Sequence, residues 1–362
     1  MAAILLLTAM PPTVAAPVDD KRVALATLDG FAQGLELADR FSGVVLVAQD
    51  GHIVFEKAYG KLDEKRETPI ATNTRFNLAS AGKMFTAVAV LQQVAQGKLG
   101  LDTSVGEVLK DYPNREFADT VTVRHLLTHT AGAGGIDELF GMENAGIRTR
   151  VRSVAQMLAL HSDRAPAFPP GSKQEYGNFG HVVLGRMVEI LSGEDFESYI
   201  QHHVFDPAGM SHTGVVACTD TSSDTARGYA TVDGKRVSNC LTQPERGFPA
   251  GGEVSTASDM LRFVRALQDG KLLPVALFSE ATRTQREFMG LGFFATGYGP
   301  DVPKRDFRWG HAGSSDGICT DIRTYPNTEE TIIVLSNRDA PACFSVSGFL
   351  HEQWNRKGEN AN

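Results

Sequence analysis

Strand-like apolar runs stand at both ends of this 362-residue chain, with helical periodicity between them, and that arrangement restricts the fold more than any other feature. Near the start, Gly43-Val44-Val45-Leu46-Val47-Ala48 and Ile53-Val54-Phe55 flank Asp50-Gly51, the turn dipeptide of a β-hairpin. Near the end, Phe307 to His311, Gly317 to Thr324 and Thr331 to Leu335 read as three more strands. The expectation is an α/β fold of the α+β type, an antiparallel sheet flanked by helices and built from residues 19–78 and 247–356. A mainly helical domain over 79–246 is inserted, with the active site between the two parts.

The segment Phe76 to Gln96 reads as a helix, because Met84, Phe85, Ala87, Val88, Leu91 and Val94 recur at helical spacing, and Gly97 ends it. Ser80 and Lys83 then share one face near its start. A serine hydroxyl is a weak nucleophile until a base takes its proton, and a lysine whose pKa is lowered by burial can do so. The helix start adds unpaired N–H groups where an oxyanion could form. Further helices are expected at Val123 to Thr130, Val154 to Leu160, His181 to Leu191, Phe196 to Phe205 and Asp259 to Leu267, the last with a capping-box-like Thr256-x-x-Asp259 start.

A net charge of -8 without a long basic run argues against nucleic acid or an anionic membrane as the main partner. Residues 1–16 read as a signal-peptide remnant, an apolar run followed by Pro11-Pro12-Thr13-Val14-Ala15-Ala16, which implies a periplasmic or secreted protein. No segment is long enough to span a bilayer. Cys218, Cys240, Cys319 and Cys343 allow three pairings; the sequential pairs are the simplest, with buried free thiols as the alternative. His125 and His129 stand four apart, but the Glu of a His-Glu-x-x-His helix is absent, so no metal and no other cofactor is expected.

Three separated pieces, Ser80-x-x-Lys83, Tyr176-Gly177-Asn178 and His311-Ala312-Gly313, acquire meaning together. Their order and spacing resemble the serine β-lactamase and penicillin-binding protein superfamily, in particular its class C β-lactamase, D-Ala-D-Ala carboxypeptidase and esterase branch. The resemblance extends to Val123-Arg124-His125-Leu126-Leu127-Thr128-His129-Thr130, Pro207-Ala208-Gly209-Met210 and Ala250-Gly251-Gly252. It implies a β-lactamase/transpeptidase-like fold and an acyl-enzyme formed on Ser80. Lys83 and Tyr176 would share the proton work, Tyr176 as a phenolate or through Lys83. Asn178 would contact the substrate amide and orient Lys83. The backbone N–H groups of Ser80 and Ser314 would form the oxyanion hole, with Gly313 letting substrate lie along the strand. The third motif commonly begins with Lys; His311, as a substrate contact, is neutral over much of the physiological range, which weakens the grip on a substrate carboxylate.

Ser315 is a rival nucleophile, since Gly313-Ser314-Ser315-Asp316-Gly317 satisfies Gly-x-Ser-x-Gly. That motif needs a strand, an elbow and a helix, whereas an apolar strand follows here. The expected function is a serine hydrolase of esters or amides, esterase or D-amino-acid peptidase in type with weak β-lactamase action. Its substrate would be a small molecule or peptide: an ester, a D-amino-acid peptide or a β-lactam. The alternatives are an efficient class C-type β-lactamase and a penicillin-binding, peptidoglycan-sensing protein that acylates with little turnover.

Overall fold

Alternation inside Gly43–Gln49 (β1) builds two cores at once, because successive side chains of a strand point to opposite faces. Val44 and Leu46 enter one hydrophobic cluster and Val45 and Val47 the other, all four fully buried. The computed structural model describes residues 20–220, 224–296 and 306–359; the leader expected over 1–16 lies outside them.

The chain opens with helix α1 (Asp20–Leu37), then β1 and β2 (His52–Tyr59). Asp50 and Gly51 between these strands both have positive φ, as the hairpin turn requires. The C-terminal part supplies β5 (Phe294–Thr296), β6 (Arg308–Ser315), β7 (Ile318–Tyr325) and β8 (Glu330–Ser336), after the short strands β3 (Phe76–Asn77) and β4 (Val254–Ser255). They form a six-stranded sheet in the order β2-β1-β8-β7-β6-β5, antiparallel throughout. The two chain ends meet where β1 pairs with β8, Val44 opposite Leu335. The third motif strand runs on past His311 to Ser315, since His311 to Ser315 continue to pair with β7.

One sheet face is covered by α1 and by the C-terminal helix (Ala342–Glu359), through Leu28, Ala32, Val346 and Leu350. The other faces α2 (Lys83–Ala95), α4 (Phe179–Ser192) and α5 (Ala257–Gln268), with α3 (Val123–Leu127) beyond them. The stretch Phe76 to Gln96 is not one helix. Phe76 and Asn77 pair with Ser255 and Val254, a 3-10 turn spans Ala79–Gly82, and the α-helix begins only at Lys83. Nor does α2 keep a solvent face: every residue from Lys83 to Leu91 is buried, because sheet, α4 and α5 surround it. Such all-round burial is what a central helix shows.

Gly193, at φ 77, ends α4 in the left-handed conformation expected of a C-terminal glycine. The Phe196 to Phe205 stretch is helical only to Ile200, after which Gln201–Phe205 widens to a π-type turn. At α5, Thr256 Oγ1 accepts from Asp259 N, 3.1 Å. The Asp259 carboxylate does not return the bond; it accepts from His212 N at 2.7 Å and Thr213 Oγ1 at 2.9 Å, tying a distant loop to the helix. Both sequential cysteine pairs, Cys218–Cys240 and Cys319–Cys343, are joined as disulfides.

Candidate active site

The Ser80 turn is shaped by its neighbours before any side chain meets it. Asn77 Oδ1 accepts from Ala79 N at 2.8 Å, an Asx turn that holds Ala79 at φ 43. On its other side the turn is hooked to the β4 segment: Leu78 N donates to Glu253 O (2.9 Å) and Gly252 N to Ala79 O (3.0 Å). Strand β6 passes close against it. A Cβ on Gly313 would overlap the Leu78 carbonyl oxygen and stand 2.9 Å from Ser80 N, so only glycine lets strand and turn approach this far. A 3-10 turn eclipses residues three apart, which lines Ser80 up with Lys83.

Lys83 is fully buried and its ammonium nitrogen is surrounded by three oxygens. Nζ bonds Ser80 Oγ at 3.0 Å, Asn178 Oδ1 at 2.8 Å and the Ala250 carbonyl at 2.7 Å. Burial pulls the lysine down to about 7, with Glu253 acting in the opposite direction. Asn178 Oδ1 and the Ala250 carbonyl can only accept, whereas the Ser80 hydroxyl can accept or donate. On losing a proton, Lys83 therefore keeps its two bonds to these acceptors and turns its lone pair to Ser80.

Tyr176 packs across the same group. The residue is 40% exposed, Lys83 Nζ lies 5.1 Å from its ring centre, and the hydroxyl hydrogen-bonds with Ser80. Desolvation at the hydroxyl pushes the phenol up to about 12, against the Ser80 bond. Beneath the ring stands His129, stacked at 4.3 Å between centroids, and beneath that His181 at 5.1 Å. His129 Nδ1 accepts from Gly177 N at 3.3 Å, which pins the turn between Tyr176 and Asn178. Burial first, and the nearby Lys83 charge second, bring His129 down to about 3.

His311 sits behind this group, 1% exposed, stacked on Phe294 at 4.0 Å with Tyr176 on its other side at 6.4 Å. Its Nδ1–H donates to the Ala312 carbonyl at 2.6 Å, which leaves Nε2 as a bare acceptor. Burial, and then the Lys83 charge, hold it well below the ordinary histidine value, so it carries no fixed positive charge. Ser80, Asn178 and Ser314 line a cleft of about 250 Å3, together with Asp137, Phe140, Phe248 and Arg246. Arg246 is the cation there, and Glu197 already engages it at 3.1 Å. Ser315, at the end of β6, donates to Gln243 Oε1 at 2.9 Å and has strand on both sides, not the helix an elbow serine needs.

Sequence reasoning did not find Ala250 as a lysine acceptor, since a backbone carbonyl leaves no residue signature. It also passed over His181 and Glu253. The available signal for Glu253 was a charged residue directly between Gly251-Gly252 and the apolar start of β4.

Known proteins bear on the same span. The family model described as Beta-lactamase matches residues 30–347. The Bacillus subtilis protein PbpX is 30% identical over 255 residues, 70% of this chain and 62% of PbpX. Esterase EstB of Burkholderia gladioli is 34% identical over 205 residues, 53% of this chain and 52% of EstB. The chain thus spans less than two thirds of either relative in matched length. The solved structure of a penicillin binding protein from Bacillus halodurans superposes with a TM-score of 0.78 at 27% identity, covering 91% of this chain and 99% of that one. A family model matched from residue 30 to residue 347, on a chain that also folds this way, means that the protein belongs to the beta-lactamase family.

Proposed function

We propose that this protein is a serine hydrolase that cleaves esters or amides of small acyl groups, D-amino-acid peptides among them, through an acyl-enzyme on Ser80. The observation that carries the reading is the buried Lys83 amine, 3.0 Å from Ser80 Oγ and oriented by Asn178 and the Ala250 carbonyl. In its neutral form Lys83 takes the Ser80 proton as Oγ bonds to the substrate carbonyl. The phenol of Tyr176, held up to about 12, acts as a proton donor instead of a phenolate base. It passes a proton to the leaving group and takes one back from the Lys83 ammonium, which lies 5.1 Å from its ring centre. Water then replaces the leaving group and the same pair serves hydrolysis.

Backbone N–H groups of Ser80 and Ser314 stabilise the oxyanion in this reading. The tight contact of Gly313 with the Ser80 turn supports it, since a Cβ there would stand 2.9 Å from Ser80 N and Ser314 is the next residue of the strand. Among the described residues, β5 pairs only with Arg308, Trp309 and Gly310, so the edge of β6 from His311 to Ser315 offers its N–H and C=O groups to an extended substrate. The cleft then lies between the mainly helical part, 79–246, and the sheet part formed by 19–78 and 247–356. A neutral His311 suits esters and uncharged amides better than penicillins, whose carboxylate wants a fixed cation. The two disulfides support our assignment of the protein to the periplasm or the exterior, and no described helix is long and apolar enough to cross a membrane.

Intact-protein mass spectrometry of wild type and Ser80→Ala tests this, each incubated with a fluorophosphonate, a penicillin or p-nitrophenyl acetate. Labelling lost in the variant, with rapid release of p-nitrophenol by the wild type, supports the hydrolase. A penicilloyl adduct that persists without turnover would instead mark a penicillin-binding protein. Labelling that survives in Ser80→Ala refutes Ser80.

A further inference from the structure

One ionisable side chain beside the nucleophile has no place in the mechanism above. Glu253 is fully buried, and neither carboxyl oxygen has a hydrogen-bond partner among the described residues. It lies directly under the Ser80 turn, and a Cβ on Gly82 would overlap its Oε2. Lys83 is the next residue after Gly82. The segment that carries Glu253, just before β4, is clamped to the turn by the bonds from Leu78 N and Gly252 N, and the Ala250 carbonyl ahead of it receives Lys83 itself.

An isolated carboxylate in such a place costs several kcal/mol of lost hydration, and a buried ammonium likewise, unless each sees an opposite charge. The other titratable groups packed around Lys83 are Tyr176, His129, His181 and His311. All are buried at their polar ends and held in their neutral forms. Among the described residues, Lys83 is the charge that acts on Glu253, and Glu253 the carboxylate that acts on Lys83.

We propose that Glu253 is a positioning residue whose carboxyl shares a single proton balance with Lys83 and offsets the positive charge that Lys83 gains on taking the Ser80 proton. The inference rests on the hydrolase reading for its consequence, though the pairing itself can be read without any substrate. With one dissociable proton between them, ammonium with carboxylate and amine with carboxylic acid are both neutral overall, so neither burial is uncompensated. Loss of that shared proton leaves amine beside carboxylate, the form that acts as the base: when the Ser80 Oγ–H bond breaks and Oγ bonds to the acyl carbon, the proton moves to Nζ, and the pair of Lys83 ammonium and Glu253 carboxylate is neutral again. Gly82 is small because the carboxyl fills the space where a side chain would be.

The test is a titration of the protein with 13C in its lysine ε positions, followed by NMR, for wild type, Glu253→Asp and Glu253→Gln. Lys83→Met identifies the Lys83 signal by its loss. The expected midpoints fall in order, wild type highest, Asp intermediate because its charge is drawn back by one methylene, and Gln at least one pH unit below wild type. Acylation by a fluorophosphonate should follow, with an acid limb displaced downward in the same order and a plateau at least tenfold lower in Glu253→Gln. If Glu253→Gln does not fold, the wild-type and Glu253→Asp midpoints decide alone. Coincident midpoints overturn the pairing whatever the activity shows. Labelling that survives Ser80→Ala overturns the nucleophile and leaves the NMR result to judge the pairing.

Discussion

Replacing Gly313 by alanine adds one methyl group at the point where β6 meets the Ser80 turn. The new Cβ would overlap the Leu78 carbonyl oxygen, stand 2.9 Å from Ser80 N and 3.0 Å from Ala79 Cβ. Ordinary carbon contacts lie at about 3.5–4.0 Å, and backbone atoms cannot rotate away as a side chain can. Strand and turn must therefore separate by roughly 1 Å, a displacement worth about 10²-fold in rate at a reacting centre. Overpacking of this kind also costs about 1–3 kcal/mol of stability. Rate and stability should be read separately: fluorophosphonate labelling under pseudo-first-order conditions for the first, urea unfolding for the second. Gly30→Ala is the control, since nothing lies within 4 Å of its added Cβ and it sits inside α1. That variant should label at the wild-type rate and be more stable by up to about 1 kcal/mol. A Gly313→Ala protein that labels as fast as wild type would refute the account of how β6 and the turn build the oxyanion site.

Three further outcomes follow from the same geometry. The acylation rate should rise about tenfold per pH unit below about 7 and level off above it, because Lys83, lowered by burial, is a base only once deprotonated; a rate still climbing at pH 10 would instead mark the Tyr176 phenol. Ser80→Ala should abolish p-nitrophenyl acetate turnover with an unchanged circular dichroism spectrum, while Ser315→Ala, which loses only the bond to Gln243, should retain most of it. Cys218→Ser with Cys240→Ser should cost about 3 kcal/mol in unfolding free energy for a bridge closing 22 residues, and a difference below about 1 kcal/mol would mean that this loop is ordered without it.

Elements whose cause is local were legible in the chain. The Asp50-Gly51 hairpin, the glycine end of α4 and the Thr256 cap of α5 each follow from a few adjacent residues. The helix from Phe76 was misplaced because apolar spacing does not distinguish a helix from a short strand and turn that lead into one. What separates them is the pairing of β3 with β4, nearly 180 residues away in the chain. Asp259 looked like the second half of a capping box, and tertiary contacts with His212 and Thr213 took its carboxylate.

The candidate site divides the same way. Ser80 and Lys83 belong together by spacing alone, and the order of the Tyr176, Asn178 and His311 motifs could be read from the chain. The chemistry of Lys83 could not. Its amine is oriented by residues 95 and 167 positions away, its pKa is set by the packing that excludes water, and the buried Glu253 that acts on it arrives from the segment just before β4. Hydrogen-bonding capacity belongs to a residue type and travels with the sequence. Desolvation and the distance to an opposite charge belong to a place, and only the folded chain makes that place.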